Sequence, residues 1–158
     1  MAKIIKAPEL LQEGFSVFLA GSIEMGTAEQ WQIYVETELS AMDIVIFNPR
    51  RDDWDASWSQ SITNPQFCEQ VEWELAALEK ADVIALYFAP ATRSPISLLE
   101  LGLFGRTGKV VVCCPSGFER KGNVDIVCAR YGIRQVASLS ELVSCIREMV
   151  LNQVAGHI

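Results

Sequence analysis

Four short runs in this chain are apolar almost end to end: "FSVFLAG" (15–21), "DIVIFNP" (43–49), "DVIALYF" (82–88) and "KVVVCCP" (109–115). Runs this short and this rich in β-branched and aromatic residues read as strands. They lack the polar alternation of a sheet with one wet face, so both faces must be covered. Segments of helical period lie between them. "TAEQWQIYVETELSAM" (27–42) places Trp31, Val35 and Leu39 at i, i+4 and i+8, with Thr27 and Gln30 spaced as a capping box. "PQFCEQVEWELAALEKA" (65–81) carries a stripe at Val71, Leu75 and Leu78. "SPISLLELGLFGRTG" (94–108) opens with Ser94 as N-cap and Pro95 at the first helical position, and ends at Gly105 and Gly108. Beyond the fourth run come a short helix over 122–132, a short strand over 134–138 and a terminal helix over 138–154, with a Ser-x-x-Glu start at Ser138 or a neighbour.

Strands and helices that alternate in this way call for a parallel sheet with right-handed crossovers. The expected fold is a doubly wound, flavodoxin- or Rossmann-like α/β sheet of five parallel strands in the order 2-1-3-4-5. It is expected to form one domain over residues 1–158. A chain of 158 residues suits one core of this kind.

Such sheets bind ligands outside the carboxyl ends of their strands. The loops expected there are "AGSIEMGT", "NPRRDDWD", "APATRSP" and "PSGFERKGN". The first, headed by Gly21, Ser22 and Ile23, reads either as a turn whose N–H groups cradle an anion or a sugar, or as an ordinary strand-to-helix turn. Asn48 closes the second strand, and the long polar stretch after it (50–66) brings Asp53 beside Trp54. That pair reads either as a solvated loop or as a lid that stacks on a base while a carboxylate accepts from its amine. Ser94 lies in the third loop.

One acid stands out. Glu100 sits among Leu98, Leu99, Leu101, Leu103 and Phe104. A buried carboxylate is costly unless it is paired, so Glu100 either leaves the apolar face for water or lines a pocket. Ile96, Leu99 and Leu103 share the expected apolar face, and Glu100 flanks it. Periodicity leaves Glu74 similarly open between solvent and the sheet edge.

Composition removes several chemistries. The only histidine is His157, which disfavours any mechanism built on a central imidazole. The five cysteines form no CxxC pair and read as small buried hydrophobes of a reducing, cytoplasmic protein rather than as disulfides or metal ligands. No metal or cofactor is expected. A net charge of −7 disfavours duplex nucleic acid as a partner, and no apolar run is long enough to cross a membrane. Carboxylates are left as the acid–base groups.

Three segments, in order, resemble the nucleoside 2-deoxyribosyltransferase family and its relatives that hydrolyse deoxynucleoside monophosphates. These are "VFLAGSI", "ELAALEKADVIALYF" and "SPISLLELG". The resemblance implies that Glu100 is the nucleophile. It implies that Glu74, in place of the family's aspartate, positions or protonates the leaving base, and that Asp53 lies near the base. By the same resemblance, Asn123 and Asp125 of "GNVD" reach a neighbouring subunit's site. A second family aspartate is replaced here within "TRSP", which bears on how the base is protonated. The implied function is cleavage of the N-glycosidic bond of 2′-deoxynucleosides through a covalent glutamyl-deoxyribosyl intermediate, with transfer to another base or to water. The alternatives are a deoxynucleoside 5′-monophosphate N-glycosidase and a non-catalytic nucleoside- or nucleotide-binding module. The expected partners are a small deoxynucleoside or deoxynucleotide, a free base, and further copies of the chain in a homodimer or higher oligomer.

Overall fold

The computed structural model describes residues 1–22 and 30–156. Its elements run β1 (Lys3–Lys6), β2 (Ser16–Gly21), α1 (Trp31–Glu38), β3 (Val45–Asn48), α2 (Pro65–Lys80), β4 (Val83–Tyr87), α3 (Pro95–Phe104), β5 (Val110–Cys113), α4 (Lys121–Tyr131), β6 (Arg134–Val136) and α5 (Leu139–Ala155). Among the described residues the strands form one six-stranded parallel sheet, ordered β1-β3-β2-β4-β5-β6. The expected five-strand order is therefore embedded in a larger sheet. The additional strand is β1, which pairs in parallel with β3 from Lys3 opposite Val45 to Lys6 opposite Asn48. Only two isoleucines between lysines mark it. That is the composition of a short edge strand, where charge guards an open ladder, and it gives no apolar run to read.

The four apolar runs became central strands for the expected reason. Helices α2, α3 and α4 cover one face through Trp73, Ala77, Leu78, Leu101, Val124 and Cys128, packed on Phe18, Phe47, Ile84 and Val112. Helices α1 and α5 cover the other through Trp31, Val35, Leu142 and Ile146. Cys113, Cys114, Cys128 and Cys145 are buried. Ser16 N–H donates to the Asp82 carboxylate (2.8 Å), tying the start of β2 to the residue before β4. Lys109 Nζ donates to the carbonyls of Leu78, Glu79 and Ala81 (each 2.9 Å), closing the end of α2 with a cation.

Several local expectations change. Thr27 of the expected capping box lies outside the described residues. Gln30 occupies the N-cap position without a side-chain capping bond. On α2 the buried face is Gln70, Trp73, Ala77 and Leu78, whereas Val71 and Leu75 are only half-buried. Asn64 caps this helix by accepting from Phe67 N–H. Helix α3 is turned the other way from expectation: Ile96, Leu99 and Leu103 are exposed, and Ser97, Glu100 and Leu101 face inward.

Gly21 ends β2 with φ +151, and a Cβ there would run into the Tyr87 carbonyl oxygen and the Trp31 ring. Gly21→Ala is expected to cost about 2–4 kcal/mol through combined overlap and backbone strain. Calorimetry should show a clear fall in Tm.

Candidate active site

All strands of the sheet are parallel, so the ends of β2, β3, β4 and β5 share one edge. The loop after β4 turns there into α3. Ser94 holds the αL conformation (φ 45) before Pro95, and its side chain makes no capping bond to the helix. Instead the hydroxyls of Ser22, Thr92 and Ser94 form a buried cluster: Ser22–Thr92 3.0 Å, Thr92–Ser94 2.8 Å, and Ser22–Ser94 in direct contact. Ser22 Oγ also accepts from Ala89 N–H (2.9 Å), and Ser22 C=O accepts from Trp31 Nε1–H (3.1 Å). The loop after β2 is thereby fastened to the loop after β4, at the start of the helix that carries Glu100.

Glu100 lies on the inward side of α3 and is 8% exposed. Among the described residues no hydrogen bond reaches its carboxyl group. Burial pushes its pKa up to about 8, with the negative charge of Glu74 adding to the shift. Glu74, on α2, is pushed up to about 7 by burial, against the hydrogen bond from Gln70. The two carboxyls therefore sense each other in a poorly solvated space. Two acids so placed do not both ionise readily near neutrality.

Glu74 is held from one side. Gln70 Nε2 donates to Glu74 Oε1 (3.0 Å) and to the Pro49 carbonyl (2.9 Å). Asn48, at the end of β3, is buried; it donates to Glu36 Oε1 (2.6 Å) and accepts from Arg50 N–H (2.9 Å). These contacts join α1, the end of β3 and α2 around one corner of the carboxyl edge. Gln70 and Arg50 were not singled out as base contacts by the sequence. A glutamine three residues before Trp73, four before Glu74 and seven before Ala77 shares their face, and the stripe drawn through Val71 hid it.

The loop after β3 folds on itself. Arg51 bonds Asp53 (2.6 Å) and Glu69 (2.8 Å), and its guanidinium lies 5.2 Å from the Trp58 ring. Arg51 holds the Asp53 carboxyl below the usual carboxylate range. Trp54 packs edge-on against Trp58 at 5.0 Å. Asn123 is exposed on the first turn of α4. Asp125 pairs with its own chain's Lys121 (3.0 Å) and Gln135 (2.6 Å), and lines a cleft of about 530 Å3 near Cys114 and Glu141. Neither Glu74 nor Glu100 lines that cleft. Thus Ser22 and Ser94 come together, as do Glu74 and Glu100, while Asp125 is drawn to a separate cleft. Ile23 lies outside the described residues.

This arrangement sets two carboxyls of raised pKa in a poorly solvated space, with hydroxyls at the start of the helix that carries Glu100. Among the described residues, no group of three or more His, Cys, Asp or Glu could hold a metal ion, and no helix is long and apolar enough to cross a membrane. A comparison with curated proteins gives no match. The sequence profile of the family described as "Nucleoside 2-deoxyribosyltransferase like" matches residues 14–118, from the start of β2 past α3 and β5. That description points to an enzyme with nucleosides or bases as substrates. The chain belongs to the nucleoside 2-deoxyribosyltransferase-like family.

Proposed function

We propose that this chain, acting as one domain, cleaves the N-glycosidic bond of 2′-deoxynucleosides through a covalent ester on Glu100. The observation that carries this reading is the buried Glu100 facing the half-buried Glu74, whose charge it senses, with Glu100 lacking any hydrogen-bond partner among the described residues. Departure of the base makes the deoxyribosyl C1′ cationic. A carboxylate in a space of low dielectric stabilises that charge strongly, then closes onto C1′. The developing cation draws Glu100 towards its ionised form, so the pair's proton moves to Glu74. From there it can pass to the leaving base as the C1′–N bond breaks. The roles match those in retaining glycosidases, with one carboxylate as nucleophile and the other as acid. A second base or water then attacks C1′ and releases Glu100.

The buried Ser22, Thr92 and Ser94 hydroxyls at the start of α3 favour a second reading, in which the substrate carries a 5′-phosphate. Hydroxyls at the positive end of a helix suit a phosphate as well as a 5′-hydroxyl. Assembly into a homodimer or higher oligomer belongs to either reading.

Release of free base from deoxynucleosides and from their 5′-monophosphates, measured by chromatography, tests both. Wild type is expected to release base, and Glu100→Ala to lose roughly 10³-fold or more. Mass spectrometry of quenched enzyme should find a deoxyribosyl adduct on the peptide containing Glu100. Equal rates for wild type and variant would remove Glu100 from the chemistry. A strong preference for monophosphates would move the second reading to first place.

A further inference from the structure

Among the described residues, every buried side-chain polar atom without a hydrogen-bond partner belongs to Gln32, Arg50 or Gln70. The atoms are both amide atoms of Gln32, Nε and Nη2 of Arg50, and Oε1 of Gln70. Folded proteins pair nearly all such groups, so these exceptions call for a physical reason. Arg50 and Gln70 are both tied to the end of β3. Gln70 bonds the Pro49 carbonyl; Arg50 follows Pro49 and is anchored through its backbone to Asn48. Gln32 lies one helical turn from Glu36, which Asn48 holds. Gln32 is 1% exposed and Gln70 5%.

The orientation of Gln70 follows from its neighbours. The Pro49 carbonyl can only accept, so the amide nitrogen faces it, and Oε1 is left as a buried acceptor. The two unpaired nitrogens of Arg50 form one side of its guanidinium fork, with two parallel N–H donors. Such a fork suits two acceptors set side by side. This corner is joined through Gln70 to Glu74, the group that faces the leaving base in the proposed reaction.

We propose that Arg50 and Gln70 form the base-reading edge of the site. They select a nucleobase that presents one donor beside two adjacent acceptors. The inference rests on the glycosidic-cleavage reading and adds a base preference to it. Cytosine offers the pattern as its amino group, N3 and O2. Guanine offers it as N1–H, O6 and N7, and the last two are well matched to an arginine fork. Thymine and uracil place a donor between their acceptors, and adenine has no two adjacent acceptors. The atoms facing Arg50 also share the negative charge of a departing base, so its cation stabilises the leaving group as well as reading it. Asp53, the loop carboxylate that the sequence offers to an exocyclic amine, is engaged by Arg51. The amide oxygen of Gln70 takes that part.

The test compares deoxycytidine, deoxyguanosine, deoxyadenosine and thymidine with wild type and Arg50→Lys, which keeps the charge and loses the fork. Circular dichroism checks the fold, and Arg50→Met provides a second variant of similar length. Wild type is expected to favour deoxycytidine and deoxyguanosine. Arg50→Lys should lower kcat/KM for these two by roughly 10- to 100-fold and change the other two only a few-fold. A wild-type preference for thymidine or deoxyadenosine would overturn the proposal, as would an equal loss on all four substrates. Calorimetry with the four free bases separates this inference from the reaction. If no nucleoside is cleaved, the glycosidic reading fails, yet selective binding of cytosine and guanine would still support the base-reading edge. Equal binding of all four bases, or of none, would overturn it.

Discussion

Glu100→Gln is expected to make the protein more stable at pH 8.5 by roughly 2–4 kcal/mol while it abolishes base release. Burial raises the Glu100 pKa to about 8 and that of Glu74 to about 7, whereas unfolded glutamates titrate near 4.5. Between those limits the folded chain keeps protons that the unfolded chain has released. Stability falls with rising pH wherever the native state binds more protons, so this contribution is complete below about pH 4.5 and is lost as pH rises towards about 8. Each unit of displacement is worth about 1.4 kcal/mol, which makes Glu100 the larger source. Glutamine keeps the shape of a neutral glutamic acid and cannot ionise. At pH 5 the variant and wild type should therefore melt within a degree or two of each other. At pH 8.5 wild type should melt well below the variant. Asp53, Asp55 and Asp125 have lowered pKa values, so their contributions change at lower pH and do not confuse this window. Equal pH slopes for both proteins would show that Glu100 ionises freely in the folded chain, and would weaken its place as a desolvated nucleophile.

That stability penalty explains why Glu100 could be noticed from the sequence and yet not oriented by it. An acid among five apolar neighbours is conspicuous. The apolar stripe around it, however, gave the wrong inner face for α3. Ile96, Leu99 and Leu103 are the larger and more apolar residues, and a lone domain would be expected to bury them. The helix instead turns Ser97 and Glu100 inward. The central strands were legible because burial on both faces leaves a nearly unbroken apolar run. Strand β1 was not, because an edge strand needs only Ile5 on the core and tolerates lysine at both ends. Gln70 escaped for a related reason. Polar residues on buried faces carry no periodic signal, and the meaning of Gln70 comes from Pro49, which only the folded chain brings near.

The apolar face left outside on α3 leads to the second prediction. Ile96, Leu99 and Leu103 are 57%, 58% and 56% exposed, and the one charged residue of α3, Glu100, points inward. In a chain of net charge −7, this helix therefore presents a face without charge. Ile126, on the outer side of α4 in the same layer, is 70% exposed. By contrast Ile133 and Val127 pack on the chain's own core. An apolar, charge-free face meets its best complement in a second copy of itself related by a two-fold axis, where no charged group loses its hydration. Such an assembly would press on the helix that carries Glu100 from its outer side and fix its position over the sheet edge. Light scattering of wild type is expected to give a dimer or larger assembly. Leu99→Glu combined with Leu103→Glu should give a monomer, because two carboxylates per copy would be buried in an apolar contact. Both side chains are more than half exposed, so the monomer's fold by circular dichroism should be unchanged while base release falls at least 10-fold, about 1.4 kcal/mol of transition-state stabilisation. A wild-type monomer with full activity at assay concentration would end the case for this face, and an active charged monomer would show that the site works without it.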